Sequence, residues 1–137
     1  MSSDQDVVDR AAASDAAFRR GLEFLSEVVP DLDEKMDRAI PANPDLQRLV
    51  VEFIYGSLHP RPQLDSRERE IVALSVITAL GGDLAMRAHV ELGYRCGLDR
   101  EQVLEIILHA AAYAGFPRAL SASAVALEVL DELEAGD

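Results

Sequence analysis

The chain has 137 residues, the usual size of a single domain, and its 25 acidic and 13 basic side chains give a net charge of −12. This negative field repels nucleic acid and anionic membrane surfaces, so we expect neither as a partner. The acidic, polar start lacks the cationic and apolar pattern of an export signal, and a lone cysteine suits a reducing compartment. Together these features predict a cytoplasmic protein.

Apolar residues recur at helical spacing along the chain, and no segment has the pattern of a strand. We expect a flexible arm over residues 1–13 and one helical domain over residues 14–137. The first helix is predicted to begin at Ser14, and a short second helix follows it. A third begins after the Asn43-Pro44 cap signal and has a wide apolar stripe. The stripe consists of Leu46, Leu49, Val50, Phe53, Ile54 and Leu58.

Start and stop signals divide the second half of the chain into four helices. Asp65 and Asp99 begin capping patterns of the type D-x-x-E/Q, and Asp83 is expected to cap the helix between them. Glycines follow three of these helices, as is common at helix ends. Residues 71–80 are apolar nearly all round, which predicts a helix buried on most sides. The predicted fold class is all-α, with six or seven helices in one domain.

Several of these helices are rich in alanine and apolar around much of their circumference, so they can approach each other closely. A chain of 137 residues has limited interior in which to bury so many apolar faces. We therefore expect a homo-oligomer. A compact monomer with closely spaced helices is the alternative.

His89 is the first candidate for a functional side chain, because small residues such as Ala85 and Gly93 lie one helical turn away. Small neighbours leave space for a ligand, whereas the alternative is a core histidine bonded to a backbone carbonyl. Glu70 stands at the edge of a buried helix, where it is either a functional acid or an acid favoured by the helix dipole. His109 is expected to be structural. Other polar candidates for the same site are His59, Arg61, Arg69 and Arg87.

Several other kinds of catalytic site are not expected. The chain has no CxxC, HExxH, glycine-rich phosphate loop or GxSxG pattern. Its three histidines lack the spacing of ligands on one helix, so we expect no metal site. Cys96 lies about two helical turns from His89, which makes a Cys–His nucleophile pair improbable.

The region from Phe18 to Leu130 resembles the carboxymuconolactone decarboxylase family, which has the alkylhydroperoxidase D-like (AhpD-like) fold. The segments that carry the resemblance are "DLQRLVVEFIYGSLHPRPQLDSRERE", "ALGG", "RAHVELGYRCGLDREQVLEIILHAAAYAGFPRAL" and "AVALEVLDEL". The peroxidase branch of this fold has a CxxC, whose two positions are Gly82 and Ala85 here. The resemblance therefore favours the decarboxylase branch and excludes thiol peroxidase chemistry.

The resemblance implies a cofactor-independent carboxy-lyase that acts on a carboxylated lactone such as γ-carboxymuconolactone. Loss of CO2 from the ring carbon leaves an electron pair, which flows through the ring double bond to the lactone carbonyl. Protonation beside that carbonyl then gives the enol-lactone. The substrate carries its own electron sink, so no cofactor is expected. Family members form rings, so the resemblance also implies a trimer or hexamer.

The resemblance assigns expected roles to individual residues. His89 is expected to be the proton donor or oxyanion partner, and Glu70 to orient His89 or to act as an acid–base group. Arg61, together with His59, is expected to hold a substrate carboxylate. Further residues expected to bind the substrate are Tyr55, Arg69 and Cys96.

The sequence is also compatible with two other functions. Glu70 and His59 differ from the residue types usual in the decarboxylase branch. This difference favours another isomerase, cyclase or decarboxylase of a specialised biosynthetic pathway on the same scaffold. The second alternative is a non-catalytic oligomeric binding protein.

Overall fold

The computed structural model describes residues 3–136, and over that range it confirms the all-α fold, with seven α-helices, one π-helical segment and no strand. The chain divides into two compact units at the boundary between Leu64 and Asp65. The single domain and the flexible arm expected from the sequence stay predictions. The first unit contains α1 (Asp4–Val28), α2 (Leu32–Ala39), α3 (Pro44–Val50) and the π segment (Val51–Leu58). The second contains α4 (Ser66–Leu80), α5 (Asp83–Arg95), α6 (Arg100–Ala114) and α7 (Phe116–Gly136).

Helix α1 begins at Asp4, so the start predicted at Ser14 was ten residues too late. A capping box explains the earlier start. The backbone N–H of Asp6 donates to the hydroxyl of Ser3, and the N–H of Ser3 donates to the Asp6 carboxylate. The prediction relied on the apolar repeat, which begins only at Phe18, and overlooked this polar start signal.

Two glycines allow α1 and the π segment to pack against each other within the first unit. A Cβ built at Gly56 would overlap the backbone carbonyl of Ala17, and one built at Gly21 would overlap the carbonyl of Val51. The guanidinium of Arg20 also donates to the Gly56 carbonyl at 3.1 Å. The backbones of α1 and the π segment are therefore in direct contact here. A larger residue at either glycine would prevent this contact.

The π segment turns a different face inward from the one that the apolar stripe predicts. Its hydrogen bonds reach back five residues, as from the N–H of His59 to the carbonyl of Ile54 at 2.8 Å. Val51, Tyr55 and Gly56 are buried as a result. The stripe assumed the 3.6-residue period of an α-helix, which the wider π turns do not follow. Its members Phe53 and Leu58 in the π segment are exposed as a result, and Leu46 and Leu49 in α3 are exposed too.

Helices α4 to α7 form the core of the second unit. Both predicted capping boxes are confirmed, because the Asp65 carboxylate accepts from the N–H of Glu68 and the Asp99 carboxylate from that of Gln102. The cap predicted at Asp83 is wrong. Gly82 is the N-cap of α5 and offers no side chain to the first turn. The core is built from residues that include Leu74, Val90, Leu98, Val103, Ala126 and Leu130.

Helix α4 has one buried face within the single chain. The prediction that it is buried on most sides is therefore wrong for the single chain. Glu70, Leu74 and Thr78 are buried, at the four-residue spacing of a single helix face. The apolar side chains on its remaining surface stay exposed: Val72, Val76 and Leu80. No helix among residues 3–136 is both long and apolar enough to cross a membrane.

Gly56→Ala tests the backbone contact between α1 and the π segment. We expect the substitution to lower the free energy of unfolding by about 1–3 kcal/mol, because the added Cβ must push the two helices apart. Urea denaturation followed by circular dichroism measures the change. Gly136→Ala is the control, since a Cβ there meets nothing within 4 Å. A Gly56→Ala protein as stable as the control would contradict the close packing.

Candidate active site

A buried carboxylate and a histidine form the best-defined polar pair of the second unit. Glu70 on α4 is 1% exposed, and its Oε2 lies 2.7 Å from Nδ1 of His89 on α5. The His89 side chain is 19% exposed, so solvent or a ligand can reach part of its ring. The two residues that the sequence marked as candidates for one site are therefore in direct contact.

The packing of α4 against α5 explains this contact. Glu70 is the fifth residue of α4 and lies on its buried face, which leads from the exposed helix start into the core. Gly93 follows His89 by one turn of α5, and a Cβ at Gly93 would be 3.0 Å from Leu98 and 3.6 Å from Glu70. The absent side chain at Gly93 therefore leaves room mainly for Leu98, since 3.6 Å from the Glu70 Cβ would be an ordinary contact. An acid that only interacts favourably with the helix dipole can stay on the surface. The burial of Glu70 therefore favours a role in the pair with His89.

The pair determines what each group can do chemically. An ionised carboxylate has only acceptor atoms, so the ring nitrogen facing it is the one that carries hydrogen. A buried carboxylate without a partner is costly, and His89 supplies that partner. With Nδ1 engaged, Nε2 is the ring nitrogen that remains to exchange a proton with a ligand. The geometry is that of a positioned acid–base group.

Cys96 follows α5 and is half-buried, near the same carboxylate. Burial, together with the negative charges of Glu70 and Asp65, raises the pKa of its thiol to about 11. At pH 8 on the order of one thiol in a thousand would be ionised. Cys96 is thus a neutral thiol at ordinary pH, which is unfavourable for nucleophilic or peroxidase chemistry.

Tyr55 and His59 lie together in the first unit with a third ring that sequence reasoning missed. The His59 ring is 4.9 Å from that of Phe24 and 5.1 Å from that of Tyr55, centroid to centroid. Phe24 lies outside the repeat read along α1, and only the π segment brings the other two rings to it. Arg61 follows in the connector, where it is exposed and its N–H donates to the Leu58 carbonyl at 3.2 Å.

The remaining polar candidates have separate places in the second unit. Arg69 precedes Glu70 on α4 and is partly exposed. Arg87 is held by ion pairs with Glu128 and Glu132 on α7, at 3.0 and 2.8 Å. His109 was expected to be structural, but it is exposed and its ring lies 5.7 Å from that of Tyr113. Within residues 3–136, no three His, Cys, Asp or Glu side chains come together as metal ligands.

Glu70→Gln is expected to lower the pKa of the Cys96 thiol from about 11, because one of the charges that raise it is removed while burial remains. The rate of iodoacetamide alkylation against pH, followed by mass spectrometry, measures this pKa. Glu105→Gln removes an exposed carboxylate on α6 and serves as the control. Identical profiles for the two variants would contradict an ionised Glu70 next to the thiol.

Comparison with known proteins agrees with the sequence motifs. Residues 44–128 match the model of the carboxymuconolactone decarboxylase family. A 4-carboxymuconolactone decarboxylase of Acinetobacter baylyi is 30% identical over 118 residues, which cover 85% of this chain and 88% of the relative. A nitrosuccinic acid decarboxylase of Metarhizium robertsii is 26% identical over 118 residues, which cover 85% of this chain and 82% of the relative. The chain belongs to the carboxymuconolactone decarboxylase family, as its motifs predicted.

Proposed function

We propose that this protein is a cofactor-independent carboxy-lyase that acts on a small dicarboxylate. Its family and its two similar relatives, both decarboxylases by name, support the reaction class. The observation that carries the proposal is the 2.7 Å contact between the buried Glu70 carboxylate and His89. This contact supplies a positioned proton donor, which decarboxylation requires after CO2 has left.

The two relatives' substrates share a chemical core that defines the proposed substrate class. In γ-carboxymuconolactone, one carbon carries the departing carboxylate, an acetate arm and the conjugated lactone. In nitrosuccinic acid, one carbon carries the departing carboxylate, an acetate arm and a nitro group. Each compound thus has a carbon that carries the leaving carboxylate, an electron sink and a CH2 group, and this CH2 group bears the second carboxylate. We propose that this chain takes substrates of the same pattern.

The reaction needs no external electron acceptor, because the sink is part of the substrate. Breaking the C–CO2 bond leaves its electron pair on the substrate, either as the dienolate of the lactone or as a nitronate. One proton then adds to carbon, and CO2 and a monocarboxylate leave. Overall, one proton is consumed for each CO2 released. The protein therefore has to orient the substrate, stabilise the anion and deliver the proton.

His89 is the proposed source of the proton. As an imidazolium it donates from Nε2 to the carbanionic carbon, while Nδ1–H stays bonded to Glu70. The neutral ring that results keeps the same orientation and regains a proton from solvent, which reaches its exposed part. Glu70 is the proposed positioning residue, because it acts through His89 and its buried carboxylate stabilises the imidazolium.

The proposed substrate-binding residues rest on their places in the family motif. Arg61 lies in the Arg-Pro connector, and a guanidinium matches a carboxylate with two parallel hydrogen bonds. His59 and Tyr55 belong to the aromatic cluster of the first unit. Arg69 and Cys96 complete the proposed set, with Cys96 acting as a neutral thiol.

Within this substrate class, the second candidate beside the lactone is an acyclic nitro acid or a related biosynthetic intermediate. The similarity to a nitrosuccinic acid decarboxylase favours it over an isomerase or a cyclase. The residue types at Glu70 and His59 also favour a substrate other than the lactone, because they differ from those expected of the lactone-specific branch. The same Glu70–His89 pair serves both reactions.

We also propose that the protein is a cytoplasmic homo-oligomer, a trimer or a hexamer. Large apolar side chains are exposed around the turn between α6 and α7, with Tyr113 85% and Phe116 71% exposed. Single chains rarely leave such a group of side chains to water. Further exposed apolar residues on these two helices are Leu108 and Leu120.

His89→Ala is expected to reduce turnover at least tenfold, and about 10²- to 10⁴-fold if proton delivery limits the rate. CO2 release is followed with γ-carboxymuconolactone and with nitrosuccinic acid, without added metal or cofactor. His109→Ala is the control, because it removes an exposed imidazole on α6.

Glu70→Gln separates the positioning role from binding, since it should lower kcat far more than it changes KM.

Normal turnover by His89→Ala would remove His89 from the mechanism. A folded wild-type protein that releases CO2 from neither compound would overturn the proposed substrate class.

Arg61→Ala is expected to raise KM for a dicarboxylate about tenfold or more, with a smaller loss in kcat, because the charge-assisted bonds to the second carboxylate are lost. Steady-state kinetics measure both constants. Arg38→Ala provides the control, because its exposed guanidinium pairs with Glu34 on α2. An unchanged KM would contradict the role of Arg61.

A further inference from the structure

A cleft of about 180 Å³ lies in the second unit, where α4 ends, α5 begins and the first turns of α7 pass. Its volume is close to that of six water molecules, which suits a ligand of few heavy atoms. Its buried lining includes Thr78, Met86 and Ala122. Thr78 follows Glu70 by eight residues on α4, about 12 Å along the helix. Neither Glu70 nor His89 lines the cleft, although Met86 lies one turn before His89 on α5.

Arg118 lines this cleft and is exposed at its mouth. It makes no ion pair or hydrogen bond with any residue that the structure describes. Its Nη1 lies 2.5 Å from the place that a Cβ would occupy at Gly81, so the guanidinium rests directly on the glycine backbone. Gly81 has φ 85° and no side chain, which leaves room for the arginine.

The other arginines that face α7 are neutralised by its acidic side chains. Arg87 pairs with Glu128 and Glu132, and Arg100 pairs with Asp131 and Glu134. All four acids lie in the second half of α7, whereas Arg118 lies in its first turn.

The charges of the cleft select among anions. Arg118 and Asp83 are the only ionisable side chains in its lining, one of each sign. A single carboxylate gains from Arg118, whereas a second negative charge meets Asp83. The hydroxyl groups of Thr78 and Ser121 already donate to backbone carbonyls, at 2.7 and 3.2 Å. Arg118 is therefore the main donor for a ligand.

We propose that this cleft binds a small monocarboxylate. The guanidinium of Arg118 bonds both carboxylate oxygens, and a short carbon chain packs against Met86 and Ala122. Asp83 disfavours dicarboxylates and phosphate. This site is distinct from the proposed catalytic pair and does not depend on the proposed function.

Met86 provides a direct reporter of occupancy. The chain has three methionines, of which Met86 lines the cleft and Met36 lies in the first unit. In the full-length protein labelled with ¹³C at the methionine methyl groups, sodium propionate is expected to shift the Met86 signal saturably. A dissociation constant on the order of millimolar is expected for so small a ligand. The Met36 signal should stay unchanged, and sodium succinate should bind more weakly than propionate.

Arg118→Ala is expected to weaken propionate binding about tenfold or more, and Arg118→Lys to restore part of it. Arg95→Ala, which removes an exposed arginine from the opposite end of α5, should have no effect. Asp83→Asn should improve succinate binding and leave propionate binding close to that of the wild type. The proposal is overturned if propionate gives no saturable shift of Met86, or if Arg118→Ala binds it as tightly as the wild type does.

Discussion

The contact between the Glu70 carboxylate and the His89 ring is the interaction on which the candidate active site depends. A carboxylate that is 1% exposed needs a partner, and one ring nitrogen of His89 provides it at 2.7 Å. The contact requires α4 and α5 to pack against each other within the second unit. The same contact orients His89 and holds a negative charge near Cys96. One pair of residues therefore links the packing of the second unit to the proposed chemistry.

Local sequence signals predicted those parts of the fold that depend on neighbouring residues. Asp65 and Asp99 mark helix starts because their side chains bond N–H groups only three residues ahead. Tertiary packing decided the parts that were missed. The π segment forms where Gly56 meets α1, and no local pattern showed that its inward face would differ from a helical stripe. Glu70 remained ambiguous because α4 alone does not reveal that α5 presents a histidine to it.

Decarboxylation suits this arrangement because the substrates of the pattern proposed here carry their own electron sink. The protein has to supply a proton at a fixed position and bind the second carboxylate. In the function proposed above, an imidazole backed by a buried carboxylate supplies the first and arginines supply the second, in a chain of net charge −12. The high pKa of Cys96 keeps the neighbouring thiol neutral, so it does not compete as a nucleophile.

The protonation of the two ring nitrogens of His89 can be measured without a substrate, and it shows whether Glu70 orients the ring. ¹⁵N NMR of protein labelled at histidine reports each nitrogen, and His89→Ala identifies the signals among the three histidines. We expect Nδ1 of the neutral His89 ring to carry the proton and Nε2 not to, and we expect Glu70→Gln to abolish this preference. A neutral ring protonated at Nε2, or one unaffected by Glu70→Gln, would contradict this expectation.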